Sequence, residues 1–374
     1  MSRIAFITTQ AFVPWAGSEE LWSQSARRMA QAGHVVGVNV PHFENEARQV
    51  TQLAQTANVE LHRSARRWPL WRRIARKLVP VQNADIDGWL GRFRPDLAVI
   101  SQGCTTDGFA WMQACHNRGV RFVTVAHLST DAIWPDATVV AEIAPLYEAA
   151  AAAFFVSENN RRVTEKHLGI PLDSAKIVRN PFIVPFDNQT PWPVDDGSFK
   201  LACVGRLGAE HKGQDLLFEV MRDAKWRGRP IAITLVGEGH HRATLERLAK
   251  LWDVRAISMP GQQHDIEAVW AAHHAIIMPS RYEGLPLALV EAMLCRRMAI
   301  ATDVGGHREL IDDGVNGFLA AAPTPHFIDD AMERAWQRRS DWQRMGEAAG
   351  EKIRAMIPHD PVGVFVTELE RLLA

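Results

Sequence analysis

The sequence predicts an α/β chain built from two doubly wound halves. Three observations carry that prediction. Short apolar runs of strand length alternate with segments of helical periodicity in both halves, the rhythm of parallel sheets with crossover helices. Between Phe182 and Ser198 the rhythm stops. Pro185, Pro191 and Pro193 stand there among Asp and Asn residues without any period, as in an interdomain linker. A length of 374 residues is enough for two domains of ordinary size.

The elements of the first half follow in order. Arg3 to Thr8 reads as a buried strand. A loop to Ser18, holding Pro14, Trp15 and Gly17, leads into a helix over Glu19 to Ala32. Leu21, Trp22, Ala26 and Met29 have helical spacing there, Ser18 is the expected N-cap and Gly33 the stop. His34 to Val40 is the second strand. This βαβ unit lacks G-x-G-x-x-G, so a dinucleotide fingerprint is absent. Asp96 to Ser101 is a buried strand, Thr105 to Arg118 a helix, and Arg121 to Ala126 a strand with His127 at its end. Ligands of open parallel sheets gather beyond the carboxyl ends of the strands, which makes His127 a candidate. A strand within Ala149 to Ser157, a helix over Asn159 to Leu168 and a strand at Lys176 to Val178 complete the half.

Composition narrows the class. Apolar residues make up 47% and charged residues 23%, with a formal net charge of -1, so nothing global points to nucleic acid. Cys104, Cys115, Cys203 and Cys295 are scattered, as expected of buried free thiols in a reducing cytosol. The first residues read as a strand rather than a signal peptide, and no run approaches the ~20 apolar residues of a membrane span. Residues 61–80 carry Arg63, Arg66, Arg67, Arg72, Arg73, Arg76 and Lys77 with Trp68 and Trp71 and no acid. Such a stretch suits either an anionic membrane surface or a solvated helix face. Asp85-Ile86-Asp87 has the spacing of a metal motif but a helical setting. It is read as surface charge, and no metal is expected.

The second half opens with a strand at Lys200 to Val204, then Gly205-Arg206-Leu207 and Lys212-Gly213 in a loop before a helix over Gln214 to Asp223. A planar guanidinium and a point-charge ammonium at one sheet edge suit a diphosphate. Ile231 to Val236 is a strand followed by Gly237-Glu238-Gly239. A helix over Ala243 to Leu251 and a strand near Ala256 to Met259 come next, and Asp265 is an expected N-cap. Ala275 to Met278 is a short buried strand. A loop with Glu283 and Gly284 follows, and Pro286 is placed at the first helical position, where its missing N–H costs nothing. The free N–H groups of Leu287 and Ala288 at that helix start favour phosphate. Glu283 and Glu291 lie eight residues apart, and at roughly 1.5 Å rise per residue the helical part spans a nucleoside-sized distance. Met298 to Thr302, Val304-Gly305-Gly306, an edge strand at Phe318-Leu319 and helices at Pro325 to Arg338 and Pro361 to Leu373 finish the chain.

The string EGLPLALVEAM, which follows a strand and precedes another with Val304-Gly305-Gly306, resembles the retaining nucleotide-sugar glycosyltransferases of family 4. Gly205-Arg206-Leu207, a short gap and then Lys212, Gly213 and Leu217 match that family's G-R-L and K-G-x-x-x-L pattern. At the first loop the family has Gly-Gly-x-Glu. Gly17-Ser18-Glu19-Glu20 keeps the first glycine and departs at Ser18, and an ordinary strand–helix turn would equally place a glycine there.

The resemblance implies the GT-B fold: two Rossmann-like domains facing across a cleft. The boundaries expected are 1–182 for the acceptor domain, 183–198 for the linker, 199–358 for the donor domain, and 359–374 as a helix crossing back to the first. It implies transfer of a hexosyl group, with retention, from a UDP- or GDP-sugar to a glycan or lipid-linked acceptor in cell-surface polysaccharide or glycoconjugate synthesis. The donor is a substrate, and neither cofactor nor metal is expected. His127, Arg206, Lys212 and Glu283 are the implied catalytic groups. Gly17, Gly205, Gly284, Leu287, Ala288 and Glu291 are the implied donor-binding groups. The expected setting is cytoplasmic, with residues 61–80 as a possible contact to the inner membrane face. A non-catalytic sugar-nucleotide-binding protein or a sugar-nucleotide epimerase of the same fold are the alternatives, separable by donor hydrolysis and product analysis.

Overall fold

The computed structural model describes residues 1–64 and 84–374. Contacts divide the chain into two compact units, Met1–Pro181 with Asp360–Ala374, and Phe182–His359. Residues 65–80 of the basic stretch lie outside the described part. Within the described part, Leu61 to Ser64 belong to a strand, and Arg63 pairs with Glu46 at 2.6 Å.

The first unit runs β1 (Arg3–Thr8), α1 (Ser18–Gln31), β2 (Val35–Pro41), α2 (Arg48–Ala54), β3 (Val59–Ser64), α3 (Ala84–Phe93), β4 (Leu97–Cys104), α4 (Phe109–Asn117), β5 (Arg121–Leu128), α5 (Ala137–Ala149), β6 (Ala152–Phe155), α6 (Glu158–Leu168) and β7 (Ala175–Ile177). Among the described residues the strands form one parallel sheet in the order β3-β2-β1-β4-β5-β6-β7. Side chains alternate across a strand, so a sheet buried on both faces reads as a continuous apolar run. In β1, Ile4 and Phe6 enter one core with Trp22 and Met29 of α1, while Ala5 and Ile7 enter the other with Trp89, Phe93 and Tyr147.

The second unit runs β8 (Phe199–Val204), α7 (Ala209–Lys212), α8 (Gln214–Met221), α9 (Ala224–Arg227), β9 (Ile231–Val236), α10 (Arg242–Leu251), β10 (Ile257–Gly261), α11 (Ile266–Ala272), β11 (Ala275–Met278), α12 (Leu287–Leu294), β12 (Met298–Thr302), α13 (His307–Leu310), β13 (Gly317–Ala320), α14 (Pro325–Gln337) and α15 (Trp342–Met356). Its parallel sheet has the order β10-β9-β8-β11-β12-β13. The last helix, α16 (Pro361–Leu373), belongs to the first unit. Its Phe365 meets Phe154 of β6 edge-on at 5.1 Å, and its Glu368 pairs with Lys176.

Residues 182–198 are held against the second sheet's helices. The buried Arg297 donates to the carbonyls of Trp270, His273 and Cys295 and reaches Pro191 O at 2.5 Å. Arg354 donates to Phe186 O at 2.9 Å and Asn188 O at 3.2 Å, and the Asn188 amide donates to Glu267 at 2.6 Å. Burial lowers the Arg297 pKa to about 10, so the guanidinium stays charged at neutral pH, with neutral carbonyls as its acceptors.

Several local expectations are corrected. Gly17, not Ser18, is the N-cap of α1. Ser18 is the first helical residue and donates its hydroxyl to Glu19. Pro286 is the N-cap of α12 rather than its first helical residue, with φ -72° and ψ 125° still extended. Lys212 ends a one-turn helix instead of lying in an open loop. The helix after β4 begins only at Phe109, because Gly108 turns through the left-handed region at φ 79°. Asp265 does cap α11, accepting from Ala268 N at 2.9 Å, and Asp87 is helical and paired with Arg118.

Gly213, between α7 and α8, combines φ +66° with a close approach to β11: a Cβ there would lie 2.0 Å from Pro279 O. Gly213→Ala should therefore lose on the order of 3 kcal/mol of stability, from backbone strain plus the clash, as read by urea unfolding. Gly228→Ala, at φ -85° with no atom closer than 3.8 Å, should be near neutral.

Candidate active site

In a doubly wound sheet the crevice forms where the strand order reverses, beyond the carboxyl ends of the strands. In the second sheet that point lies between β8 and β11. The loop leaving β8 carries Arg206, and the loop leaving β11 carries Glu283.

Two glycines of Gly237-Glu238-Gly239 give the first loop its close backing. A Cβ at Gly237 would stand 2.1 Å from Gly205 O, and one at Gly239 would stand 2.3 Å from Leu207 O. Leu207 N donates to Glu238 O at 2.9 Å and Gly205 N to Val236 O at 2.9 Å. The G-x-G turn thus works here as a packing surface for Gly205-Arg206-Leu207. The Arg206 side chain is left exposed, with no hydrogen bond or ion pair among the described residues.

Lys212 and Glu283 meet directly. The Lys212 ammonium donates to Glu283 Oε1 at 2.6 Å, and the Ser280 hydroxyl donates to the same oxygen at 2.7 Å. Glu283 is only 5% exposed. Burial alone pushes its pKa up, but Lys212 and His211 outweigh burial and hold the carboxyl well below the usual carboxylate range. The His211 ring stacks on Tyr282 at 4.4 Å and presents Nε2 3.8 Å from Glu283. Arg281 fastens the two loops together. It forks onto both Asp215 oxygens at 2.7 Å and donates to Ala209 O at 2.5 Å, and its own N–H donates to His211 O at 2.8 Å. Behind Glu283, Gly305 at φ +56° lies so close that a Cβ would stand 2.0 Å from Glu283 O, and Gly306 N donates to Gly284 O at 2.8 Å.

The same loop feeds α12. Its N-cap makes no side-chain hydrogen bond, and the N–H groups of Leu287 and Ala288 have no partner among the described residues. Such a helix start is suited to an anion. Glu291, 6% exposed, lies one turn further and accepts from Ile183 N at 3.3 Å. Lys212, Glu283, Gly284, Leu287 and Ala288 are therefore contiguous, and Arg206 is joined to them through Gln214, whose amide donates to Arg206 O at 2.8 Å. Glu291 is tied instead to the strap that begins this unit. Ser280, His211, Tyr282 and Arg281 were not singled out from the sequence. Ser280, Arg281 and Tyr282 directly precede Glu283, but their contacts, and that of His211, become visible only when β8 and β11 stand side by side.

In the first unit, His127 lies in β5 beside β4, with Nε2 3.2 Å from Ser101 Oγ and Nδ1 buried without a partner in the described structure. Burial lowers its pKa to about 4, so the ring is neutral at working pH. Gly17 caps α1 with an ordinary helical φ of -59°. Behind it, Glu19 is buried. Its pKa is raised by burial to about 7, although Trp22 donates to it at 3.0 Å. Glu19 borders a small pocket with Thr8, Gln10, Trp15, Trp22 and Phe43. Sequence reading names Glu19 only as the helix start and within Gly17-Ser18-Glu19-Glu20; nothing local marks it as buried.

Among the described residues, Glu210, His240 and His241 bring metal-ligating atoms within 4.8 Å of one another; Glu283 and Glu291 do not belong to that group. No helix among these residues is long and apolar enough to cross a membrane.

Comparison with known proteins agrees in both units. Residues 15–183 match the family model described as Glycosyltransferase Family 4, and residues 198–338 match Glycosyl transferases group 1. The chain is 32% identical over 149 residues to alpha-D-kanosaminyltransferase of Streptomyces kanamyceticus, covering 39% of this chain and 38% of that protein. It is 31% identical over 168 residues to D-inositol 3-phosphate glycosyltransferase of Frankia alni, covering 40% and 41%. The matched part thus spans less than half the length of these relatives. Anabaena Alr3699/HepE, solved with UDP, superposes with a TM-score of 0.76 over 99% of this chain and 100% of its own, at 17% identity. The lipopolysaccharide outer core galactosyltransferase WaaB gives 0.71 over 99% of each chain, at 19% identity. With both halves matched by family models and the fold shared along its length, the chain is a GT-B-fold protein related to the family 4 and group 1 glycosyltransferases.

Proposed function

We propose that this chain is a retaining glycosyltransferase that moves a hexosyl group from a nucleoside diphosphate sugar to a glycan or lipid-linked acceptor. The observation that carries the reading is the wall formed by the exposed Arg206, the Lys212–Glu283 pair and the open start of α12. The barrier is loss of a pyrophosphate-bearing leaving group. Fixed donors aimed at the growing charge lower it, because they need no reorganisation as the bond breaks. Lys212 has three N–H donors and gives one to Glu283, so two remain for phosphate oxygens. Glu283, held ionised, accepts sugar hydroxyls and orients the ring. HepE has been solved with UDP and with UDP-glucose, which favours a uridine donor here.

In this reading His127 hydrogen-bonds the transferred sugar, with a ring that burial keeps neutral. Gly17, Gly205 and Glu291 complete the donor-binding set, with Glu291 on the ribose. The reaction class belongs to cell-surface polysaccharide or glycoconjugate synthesis. We assign it to the cytoplasmic side; residues 61–80 are the candidate for a peripheral membrane contact, and a solvated helix face is the competing reading of that stretch. Vesicle co-sedimentation at low and high salt tests that contact; no binding at low salt removes it.

Assays of UDP release with UDP- and GDP-sugars, with and without added acceptor, test the main reading. Lys212→Ala and Glu283→Ala should each lower kcat/KM about 100- to 1,000-fold, the scale of one preorganised charge contact, with the native circular dichroism spectrum kept at assay temperature although the lost ion pair lowers stability. Wild-type turnover in either variant would overturn the assignment. Anomeric analysis of the product by NMR checks retention.

His127 gives a pH prediction. Its folded pKa of about 4 lies below the ordinary 6.5, so its contribution is fully present above pH 6.5 and is lost as pH falls towards 4. Between pH 7 and pH 5 the wild type should lose about 2 kcal/mol that His127→Gln does not, measured by urea unfolding at each pH.

A further inference from the structure

The cluster beside α7 is chemically unlike the site described above. Glu210 stands in the first turn of α7, and His240 and His241 form the turn that precedes α10. The carboxylate lies between the two imidazoles: Glu210 Oε1 is 3.2 Å from His240 Nε2, and Glu210 Oε2 is 2.9 Å from His241 Nδ1. The two rings are 4.1 Å apart. Bonds of about 2.0 to 2.2 Å to a common ion put neighbouring ligand atoms about 3.0 to 3.4 Å apart; each imidazole already stands at that separation from one oxygen of Glu210, and one ligand atom from each of the three residues lies within 4.8 Å of the others, so a bidentate carboxylate and small side-chain shifts close the set around one ion. Two imidazoles and one carboxylate form a nitrogen-rich donor set. It suits zinc, cobalt, nickel or copper and not magnesium or calcium, which prefer all-oxygen sets. Glu210 and His240 are about half exposed, which leaves room for water in the remaining positions.

We propose that Glu210, His240 and His241 bind one divalent transition-metal ion, with zinc as the type ion. The ion would not be a cofactor of sugar transfer. It would cross-link the turn before α10 to α7, the single-turn helix that ends at Lys212. His241 Nδ1 also receives the Ala209 N–H at 3.0 Å, so coordination through Nδ1 exchanges that hydrogen bond for a metal bond.

Titration of the untagged full chain with cobalt(II), followed by d–d absorption, and with zinc, followed by calorimetry, tests the site. One equivalent should bind, and zinc should raise the melting temperature. Glu210→Gln, His240→Ala and His241→Ala should each weaken binding at least tenfold and shrink the thermal shift; the metal-free melting temperatures of Glu210→Gln and His240→Ala should stay at the wild-type value, while that of His241→Ala, which also loses the Ala209 hydrogen bond, should fall slightly. His264→Ala, at an exposed histidine outside the cluster, should bind as the wild type does. The absence of saturable binding at millimolar metal, or binding that survives His240→Ala and Glu210→Gln unchanged, would overturn the proposal.

Discussion

A carboxylate that is almost fully buried and still charged sets the demands on the second sheet's crevice. An isolated Glu283 at that depth would take up a proton, since desolvation of an ion costs several kcal/mol even after relaxation. Lys212 and His211 keep it ionised, and the Ser280 hydroxyl that also donates to it comes from the opposite side of the point where the strand order reverses. The cation stands at the end of a four-residue helix, far too short to be stable alone. The Arg281 fork on Asp215 and Ala209 O gives that helix its support. Glycines let the remaining backbones close in, Gly213 on Pro279 and Gly305 on Glu283. The ion pair, the clamp and the close packing are parts of one solution to the same electrostatic problem.

Much of this was legible in the sequence because it is local. The run Ala275 to Met278, the glutamate spacing and the G-R-L and K-G strings each sit on one continuous stretch. Their types alone point to strand, loop and helix start. Cap identities were less legible. Ser18 and Pro286 are both favoured residues near helix starts, yet the backbone assigns them one position away from where propensity does. Contacts between distant segments were not legible at all. Arg281 is 66 residues from Asp215, and Arg297 is 106 residues from Pro191. Helix α15 has no motif to mark it, although Trp342, Met345 and Ile353 line its buried face.

The two sheets share a design: strands that step outward from one reversal point, with the residues of interest leaving the inner strands. In the first sheet the reversal lies between β1 and β4, with Ser101 on β4 and the Gly17 loop after β1. The polar groups differ in kind. The first unit presents neutral or proton-bearing groups, His127 with a depressed pKa and Glu19 with a raised one. The second presents formal charges held in pairs.

The strap over residues 182–198 bears on how the second unit can be isolated. Arg297 and Arg354 find part of their acceptors in Pro191, Phe186 and Asn188, and Glu291 takes the Ile183 N–H. A fragment starting at Phe199, where the sheet itself begins, would leave two guanidinium groups short of acceptors and would strip away the Trp192 ring that lies 5.2 Å from Arg297. The natural place to sever the polypeptide is upstream, at Pro181.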